Sequence, residues 1–426
     1  MTLVHYGALA LVAQRTYTLA HLSRRRNLRQ RVEEYLKGTE HLLSARLVSP
    51  SRQECTLTLE LLNQLRFFVK RLPPPCPRPH SSAVSVMALT SPSVSKTVHF
   101  VGSICLPDTP TVFQELCLSL LPHLRRIPDG ETGKRGGFIQ FQKDIFADYP
   151  FLLRETISAP AEEAGLSEAQ KSIEINLKPL EYDQFAISSY KEFCKLRDGG
   201  AIPQHVRFQV CLPTPINIVC NLVHPAWRAK VEPIYEKAML GVLRRIQDSI
   251  PAKDLSIQLD APSEFAYLEG VATVPVDWFS PVKEGLIERM VKLASAIDDG
   301  VELGFHFCYG DFGHKHFTEP KDVGLMVEVG TALLHAVPRP INWIHMPVPK
   351  DRTDAAYFSP LKELELGTTE LYLGLLYMND EQGTRERKEE AKKIVSEFGI
   401  STECGMGRAT EDELNSVLQI AKKILN

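Results

Sequence analysis

Residues 304–311, Gly-Phe-His-Phe-Cys-Tyr-Gly-Asp, set an imidazole and a thiol two positions apart, at the end of the mostly apolar run 301–307. On a β-strand alternate side chains share a face, so His306 and Cys308 project together. That arrangement suits a metal ion. The plainer reading of such a pair is core packing, because cysteines and strand histidines are often buried for structural reasons. What separates the two readings is whether other parts of the chain deliver further N or S donors to the same place.

The elements that would deliver them are legible from hydrophobic patterning. From His99 onward, apolar strand-like runs alternate with amphipathic helical stretches. The runs are 99–104, 124–127, 206–211, 255–260, 303–308, 341–346, 371–376 and 400–404. Several are nearly continuous apolar runs, as strands buried on both faces must be. Helices are expected over 227–250, 281–297, 322–336 and 385–398, and a last one after Arg408. That last helix opens on a Thr410/Glu413 capping box and carries Leu414, Val417, Leu418, Ala421, Ile424 and Leu425 as its buried stripe. Eight β–α units in succession predict an α/β fold, a (β/α)8 TIM barrel, over an open doubly wound sheet. No Gly-rich dinucleotide fingerprint follows the first strand, which also counts against a Rossmann domain. The interval 151–204 is too long for a simple crossover. It reads as an insertion after the second strand, over the barrel mouth, with 172–180 as an extra hairpin or cap.

Residues 1–95 read differently. They hold a basic cluster (Arg24, Arg25, Arg26, Arg29, Arg31), a Pro-rich break at 72–80 and a Ser-rich stretch at 81–96. We expect a mostly disordered extension, with 96–426 as the barrel domain. The Arg-rich pattern allows a mitochondrial presequence, against which the cluster of Glu33, Glu34 and Glu40 counts. A translation start at Met87 would make the extension dispensable. The cytoplasm is otherwise the expected location.

Composition narrows the partners. The chain has 426 residues, 44% hydrophobic and 24% charged, with a net charge of −3. This gives no electrostatic footprint for nucleic acid or an anionic membrane. No apolar run reaches the roughly 18 residues needed to span a bilayer. Nine scattered cysteines, an odd number, fit a reducing compartment better than a disulfide framework. A small-molecule substrate is expected. Oligomeric state is not legible.

In a barrel of this kind chemistry sits at the C-terminal ends of the strands, and here those ends are polar. Gly102-Ser103 follows the first strand and Pro128-Asp129-Gly-Glu131-Thr-Gly-Lys134-Arg135 the second. Gln258-Leu-Asp260-Ala-Pro-Ser-Glu264 closes the fourth, His306-Phe-Cys308 the fifth, His345 the sixth and Glu403-Cys404-Gly the eighth. His306, Cys308 and Cys404 would face one mouth, with His345 on the neighbouring strand. Three or four N/S ligands suit zinc better than magnesium or calcium.

At these residues the chain resembles the catalytic barrel of cobalamin-independent methionine synthase and its relatives in the uroporphyrinogen decarboxylase-like superfamily. The resemblance covers about residues 97–426. His306-Phe-Cys308-Tyr309 matches the family's His-x-Cys-Tyr zinc motif, and Glu403-Cys404-Gly405 its Asp-Cys-Gly motif. Gln258-Leu-Asp260 with Pro262 matches the start of a segment whose first Asp holds the amino group of homocysteine. Val101-Gly102-Ser103 matches an Ile-Gly-Ser loop that contacts the amino acid carboxylate. The motifs Pro-Asp-Gly-Glu-Thr-Gly, Cys-Tyr-Gly-Asp and Glu-Cys-Gly-Met-Gly-Arg are more similar still to a single-barrel subfamily of methionine-synthase-like proteins.

The resemblance implies zinc on His306, Cys308 and Cys404, activating a thiol or amino-acid-like substrate for methyl or alkyl transfer. Asp260 would anchor an ammonium, and Gly102 and Ser103 would take a carboxylate. Where the family has a Glu ligand this chain has His345, which reads either as a fourth ligand or as an acid or base. Glu264 stands in loosely for a family carboxylate, as a catalytic candidate. Asp129, Glu131 and Arg135 read equally as substrate contacts or as a capped turn with a surface ion pair. The full-length synthase has two barrels, so folate use does not carry over. His314 and His316 are expected in a loop, and Asp351, Arg352 and Asp354 in a solvated one. The alternative chemistry is a lyase or decarboxylase, with Lys134, Arg135, Lys350 and Arg352 binding carboxylates at the mouth.

Overall fold

The computed structural model describes residues 93–154, 167–272, 275–310 and 315–426. The chain divides after Met87, and residues 88–426 make one compact unit. The expectations for residues 1–92, for 155–166 within the long interval, and for Asp311 and His314 fall outside the described residues.

Eight strands form: β1 Val98–His99, β2 Arg126–Pro128, β3 Arg207–Pro213, β4 Leu255–Ala261, β5 Glu302–Phe307, β6 Trp343–Pro347, β7 Glu370–Leu376 and β8 Gly399–Thr402. Each falls within two residues or so of its expected start, β1 and β8 being shorter. The sheet order is β1-β8-β7-β6-β5-β4-β3-β2 and every pairing is parallel. The β1–β2 seam is joined nearer the mouth by the parallel bridge Ser103–Gly130, where the Ile104 N–H donates to the Gly130 carbonyl at 2.9 Å. The result is a nearly closed (β/α)8 barrel. All seven residues of β4 are buried, which explains its apolar run.

Helices fill the crossovers. Arg228–Ser249, Val282–Ala294 and Gly324–Ala336 lie where the periodicity predicts them. The helix expected over 385–398 instead spans Glu381–Lys392, because the Asp380 side chain accepts the Gly383 N–H and caps it four residues earlier. The last helix, Glu411–Leu425, has the full Thr410/Glu413 capping box. Ile420 joins its buried stripe and Ile424 is only partly covered, a shift of the apolar face by a fraction of a turn.

The β2–β3 interval differs from expectation. Residues 172–180 form no hairpin; they run as irregular chain into the crossover helix Tyr182–Asp198. The mouth is covered instead by the short 3-10 turns Gly133–Gly137 and Gln140–Phe146. Their alternation of Gly, Phe and Gln carries neither a strand nor an α-helix period.

Among the described residues, no helix is long and apolar enough to cross a membrane.

Candidate metal centre and active site

β5 ends at Phe307 and the chain turns sharply. Gly310 adopts a positive φ of 77°, which brings its N–H to 3.2 Å from the Cys308 sulfur. From β8, Cys404 closes to 3.5 Å from Cys308, sulfur to sulfur. His306 supplies the third donor, and the three ligand atoms lie within 4.8 Å of one another. Two sulfurs at about 2.3 Å from a tetrahedral zinc sit about 3.8 Å apart, so this donor set and spacing fit the metal. His306 is 5% exposed, Cys308 is 3% exposed, and Cys404 is partly open toward the cavity.

The trio forms one wall of a cavity of about 650 Å³ at the barrel mouth. Ser103, Glu131, Asp260 and Arg408 also line it, as do Asn217 and Ser263. Six of the candidates named from the sequence therefore meet here: Ser103, Glu131, Asp260, His306, Cys308 and Cys404. Gly102 lies just behind, and a side chain there would contact the Glu131 carboxyl. Gly405 is required by close approach, since a Cβ would collide with the Ser103 hydroxyl. Ser103 thereby packs against β8, and its hydroxyl accepts from the Gly407 N–H at 3.2 Å.

The carboxyls of the mouth are perturbed. Asp260 accepts from the Gln258 amide at 2.8 Å, and Gln258 in turn accepts from His99 at 2.7 Å. Burial, then the nearby Glu131, pushes the Asp260 carboxyl well above its ordinary range. Burial likewise raises Glu131 to about 7, with Arg135 opposing and Asp129 reinforcing. Two neighbouring acids that disfavour ionisation, Asp260 buried and Glu131 half-buried, would be relieved by a cation placed between them.

Other candidates stand outside the cavity. Asp129 is used internally: its carboxylate takes Arg135 at 2.7 Å, Ser189 at 2.7 Å and the Glu131 N–H at 3.0 Å. This capped turn with a buried ion pair fixes Glu131, which has a φ of 47°. Glu264 is fully buried, bonds the Thr214 hydroxyl, and is raised by burial to about 7; its second oxygen has no partner among the described residues. His345 lies behind His306, with its Nδ1 at 2.7 Å from the Nδ1 of His306 and its Nε2 at 2.9 Å from the Thr402 carbonyl. Burial lowers it to about 3. Both its ring nitrogens are thus engaged, and it is not one of the three converging donors.

None of Lys134, Arg135, Lys350 and Arg352 lines the cavity. Lys134 pairs with Glu181 at 2.6 Å, and Arg352 with Asp354 at 2.8 Å, near the surface.

His316 lies in its expected loop and yet belongs to the site. His316 lines the cavity and bonds Glu403 at 2.6 Å, and Glu403 also takes the Tyr377 hydroxyl at 2.5 Å. Burial alone would lower His316, but the bond to Glu403 and its charge outweigh that and raise it to about 9. The imidazolium is therefore the stable form at neutral pH. Its partner is 87 positions away, so spacing could not reveal it.

No family model matches the chain, and no curated protein matches it in sequence. Among solved structures, one similar to it is a B12-independent methionine synthase from Shewanella sp. W3-18-1 in complex with selenomethionine. The identity is 17% and the TM-score 0.41, over 58% of this chain and 65% of that one. The chain thus spans just under two thirds of that protein's length. Another is a methyltransferase from Methanosarcina mazei, at 12% identity and a TM-score of 0.43, over 78% of this chain and 93% of that one.

Proposed function

We propose that this chain is a zinc-dependent transferase that moves a methyl or similar alkyl group to the sulfur of a small thiol, one that also carries an amino group. The observation that carries this reading is the convergence of His306, Cys308 and Cys404, their ligand atoms within 4.8 Å, on a cavity that also holds Asp260 and Glu131. Three donors of this kind leave a tetrahedral ion one open position, as catalytic rather than structural zinc has. Zinc bound there would supply the charge that keeps a substrate thiol deprotonated at neutral pH, where a free thiol of pKa about 8.5 is mostly protonated.

The chain's own residues would do the rest. Asp260, with Glu131 beside it, receives the substrate ammonium, and that cation restores the ionised form that burial disfavours. Ser103 and the neighbouring backbone orient the other end of the substrate. Phe138 and Ile139, between the two 3-10 turns at the mouth, keep bulk water from the sulfur. As the new C–S bond forms and the donor–carbon bond breaks, the leaving group needs a proton, and the His316 imidazolium on the cavity wall would give one by releasing its long 3.4 Å contact with Glu319 while Glu403 holds its other nitrogen. Holding thiol and donor in line is the protein's main contribution.

The lyase or decarboxylase alternative is less well supported, because its four proposed carboxylate-binding cations do not line the cavity.

Metal analysis of the purified wild type beside Cys308→Ser and Cys404→Ser tests the reading. About one zinc per chain in the wild type is expected, with loss in both variants. Full activity in a metal-free protein would overturn it.

A further inference from the structure

His345, expected from the sequence as a fourth ligand or as an acid or base, lies behind His306, and its surroundings answer what it does. A backbone carbonyl can only accept a hydrogen bond. The His345 ring meets two backbone carbonyls, Thr402 more strongly than Phe307, and the 2.9 Å contact of Nε2 with Thr402 sets the ring proton on Nε2. His345 is fully buried, and no carboxylate bonds it among the described residues. A neutral imidazole has a single N–H, so Nδ1 of His345 is left as an acceptor. The 2.7 Å contact between the two Nδ1 atoms then requires His306 to donate. That places the His306 proton on Nδ1 and leaves the lone pair on Nε2, available to a metal.

We propose that His345 is a positioning residue, not a ligand: it selects the metal-binding tautomer of His306 and fixes the angle of its ring. The proposal rests on the zinc reading above for the identity of the metal, though not for the tautomer itself. The relay runs from the Thr402 carbonyl through His345 to His306, ending in a backbone dipole where many metal-binding histidines end in a carboxylate. Two consequences follow for the site. With both nitrogens of His345 occupied, the protein supplies three ligands and the fourth position stays open for the substrate sulfur. A zinc ion held by His306, Cys308 and Cys404 would be neutralised by the two thiolates, and a substrate thiolate would enter as its fourth ligand. The relay also ties the two ligand-bearing strands together. Thr402 lies two residues before Cys404 and its hydroxyl donates to the Cys404 carbonyl at 2.7 Å, so β5 and β8 are held in step through β6.

The test uses the full chain. Nitrogen-15 NMR of the metal-free wild type, labelled at the histidine rings, is expected to find the proton of His306 on Nδ1 and that of His345 on Nε2. A proton on His306 Nε2 would overturn the proposal. Zinc affinity is then measured by competition with a chromophoric chelator for wild type, His345→Phe and His345→Gln. The phenylalanine keeps the ring and loses both hydrogen bonds, and roughly 10–100-fold weaker zinc binding is expected. The glutamine can donate to Thr402 and accept from His306, so it should recover most of that loss. The cobalt(II)-substituted glutamine variant should keep the visible absorption of the wild type. If His345 were itself a ligand, both variants would lose zinc alike and the cobalt spectrum would change in each. Equal affinity in wild type and His345→Phe would also overturn the proposal. Should the phenylalanine variant fail to fold, the nitrogen shifts and the glutamine variant still decide. A wild type that takes up no zinc defeats the transferase reading, and the nitrogen shifts of the metal-free protein judge the relay separately.

Discussion

Both ends of the barrel interior are polar, in opposite ways. At the base, Arg126 on β2 donates to Glu302 on β5 at 2.5 Å and to Glu370 on β7 at 2.8 Å. Arg125 and Tyr372 also bond Glu370, Arg207 pairs with Glu302, and the Arg126 guanidinium lies 4.2 Å over the Trp343 ring. Burial would loosen the proton of Arg126, and the two carboxylates more than reverse that. Every charge there has its opposite. At the mouth, Asp260 is answered among the described residues by one neutral amide, Gln258, and three donor atoms converge on a common point. Closed networks of the first kind hold a fold together. Unanswered groups of the second kind cost stability and are retained where a ligand will answer them.

The comparison can be broken from either side. The largest effect is expected at the base. Arg126→Met leaves two partly buried carboxylates short of a partner and should cost about 3 kcal/mol in urea unfolding, somewhat under the usual range because Arg125 and Arg207 remain. A loss below about 1 kcal/mol would deny the base its structural role.

Behind the mouth, at the buried Glu264, the sign should reverse. Glu264 has a folded-state pKa of about 7, above its ordinary 4.5, so the folded protein binds the extra proton and stability falls as pH rises from 4.5 to 7. Glu264→Gln should remove that penalty, raising stability at pH 8 by up to roughly 2–3 kcal/mol and changing little at pH 4.5. Equal effects at both pH values would contradict the burial argument. Asp260→Asn should likewise stabilise the metal-free protein at neutral pH while abolishing binding of an amino thiol, which calorimetry can read.

The smallest effect is expected at His316. Its pKa is raised to about 9, so its contribution is fully present below its ordinary 6.5 and disappears as pH rises through 9. Thermal unfolding should show wild type more stable than His316→Gln by about 1–2 kcal/mol at pH 6, with the gap closed by pH 10. A gap that does not change with pH would assign His316 a packing role only.

Much of this was legible before the fold. The eight strands announce themselves because strands buried on both faces are continuous apolar runs, and a His-x-Cys pair on such a run must share a face. Cys404 joined them because strand ends of a barrel converge. What was not legible depended on partners distant in sequence. Nothing local reveals that Thr402, 57 positions on, meets the Nε2 of His345. His316 is a loop residue as expected, and nothing local reveals that Glu403 holds it on the cavity wall. Asp129 and Arg135 gave an ambiguous signal because a capped turn and a substrate clamp use the same residue types. The chain over the mouth, 133–146, lacks any period that would predict 3-10 turns.

The central claim is that a thiol binds at an open zinc position made by His306, Cys308 and Cys404. X-ray absorption at the zinc edge, before and after adding an amino thiol such as homocysteine, tests it most directly. The account predicts two sulfur scatterers and one imidazole in the resting protein and a third sulfur, at about 2.3 Å, after addition. An unchanged coordination shell, or a resting site already closed by four protein ligands, would contradict it.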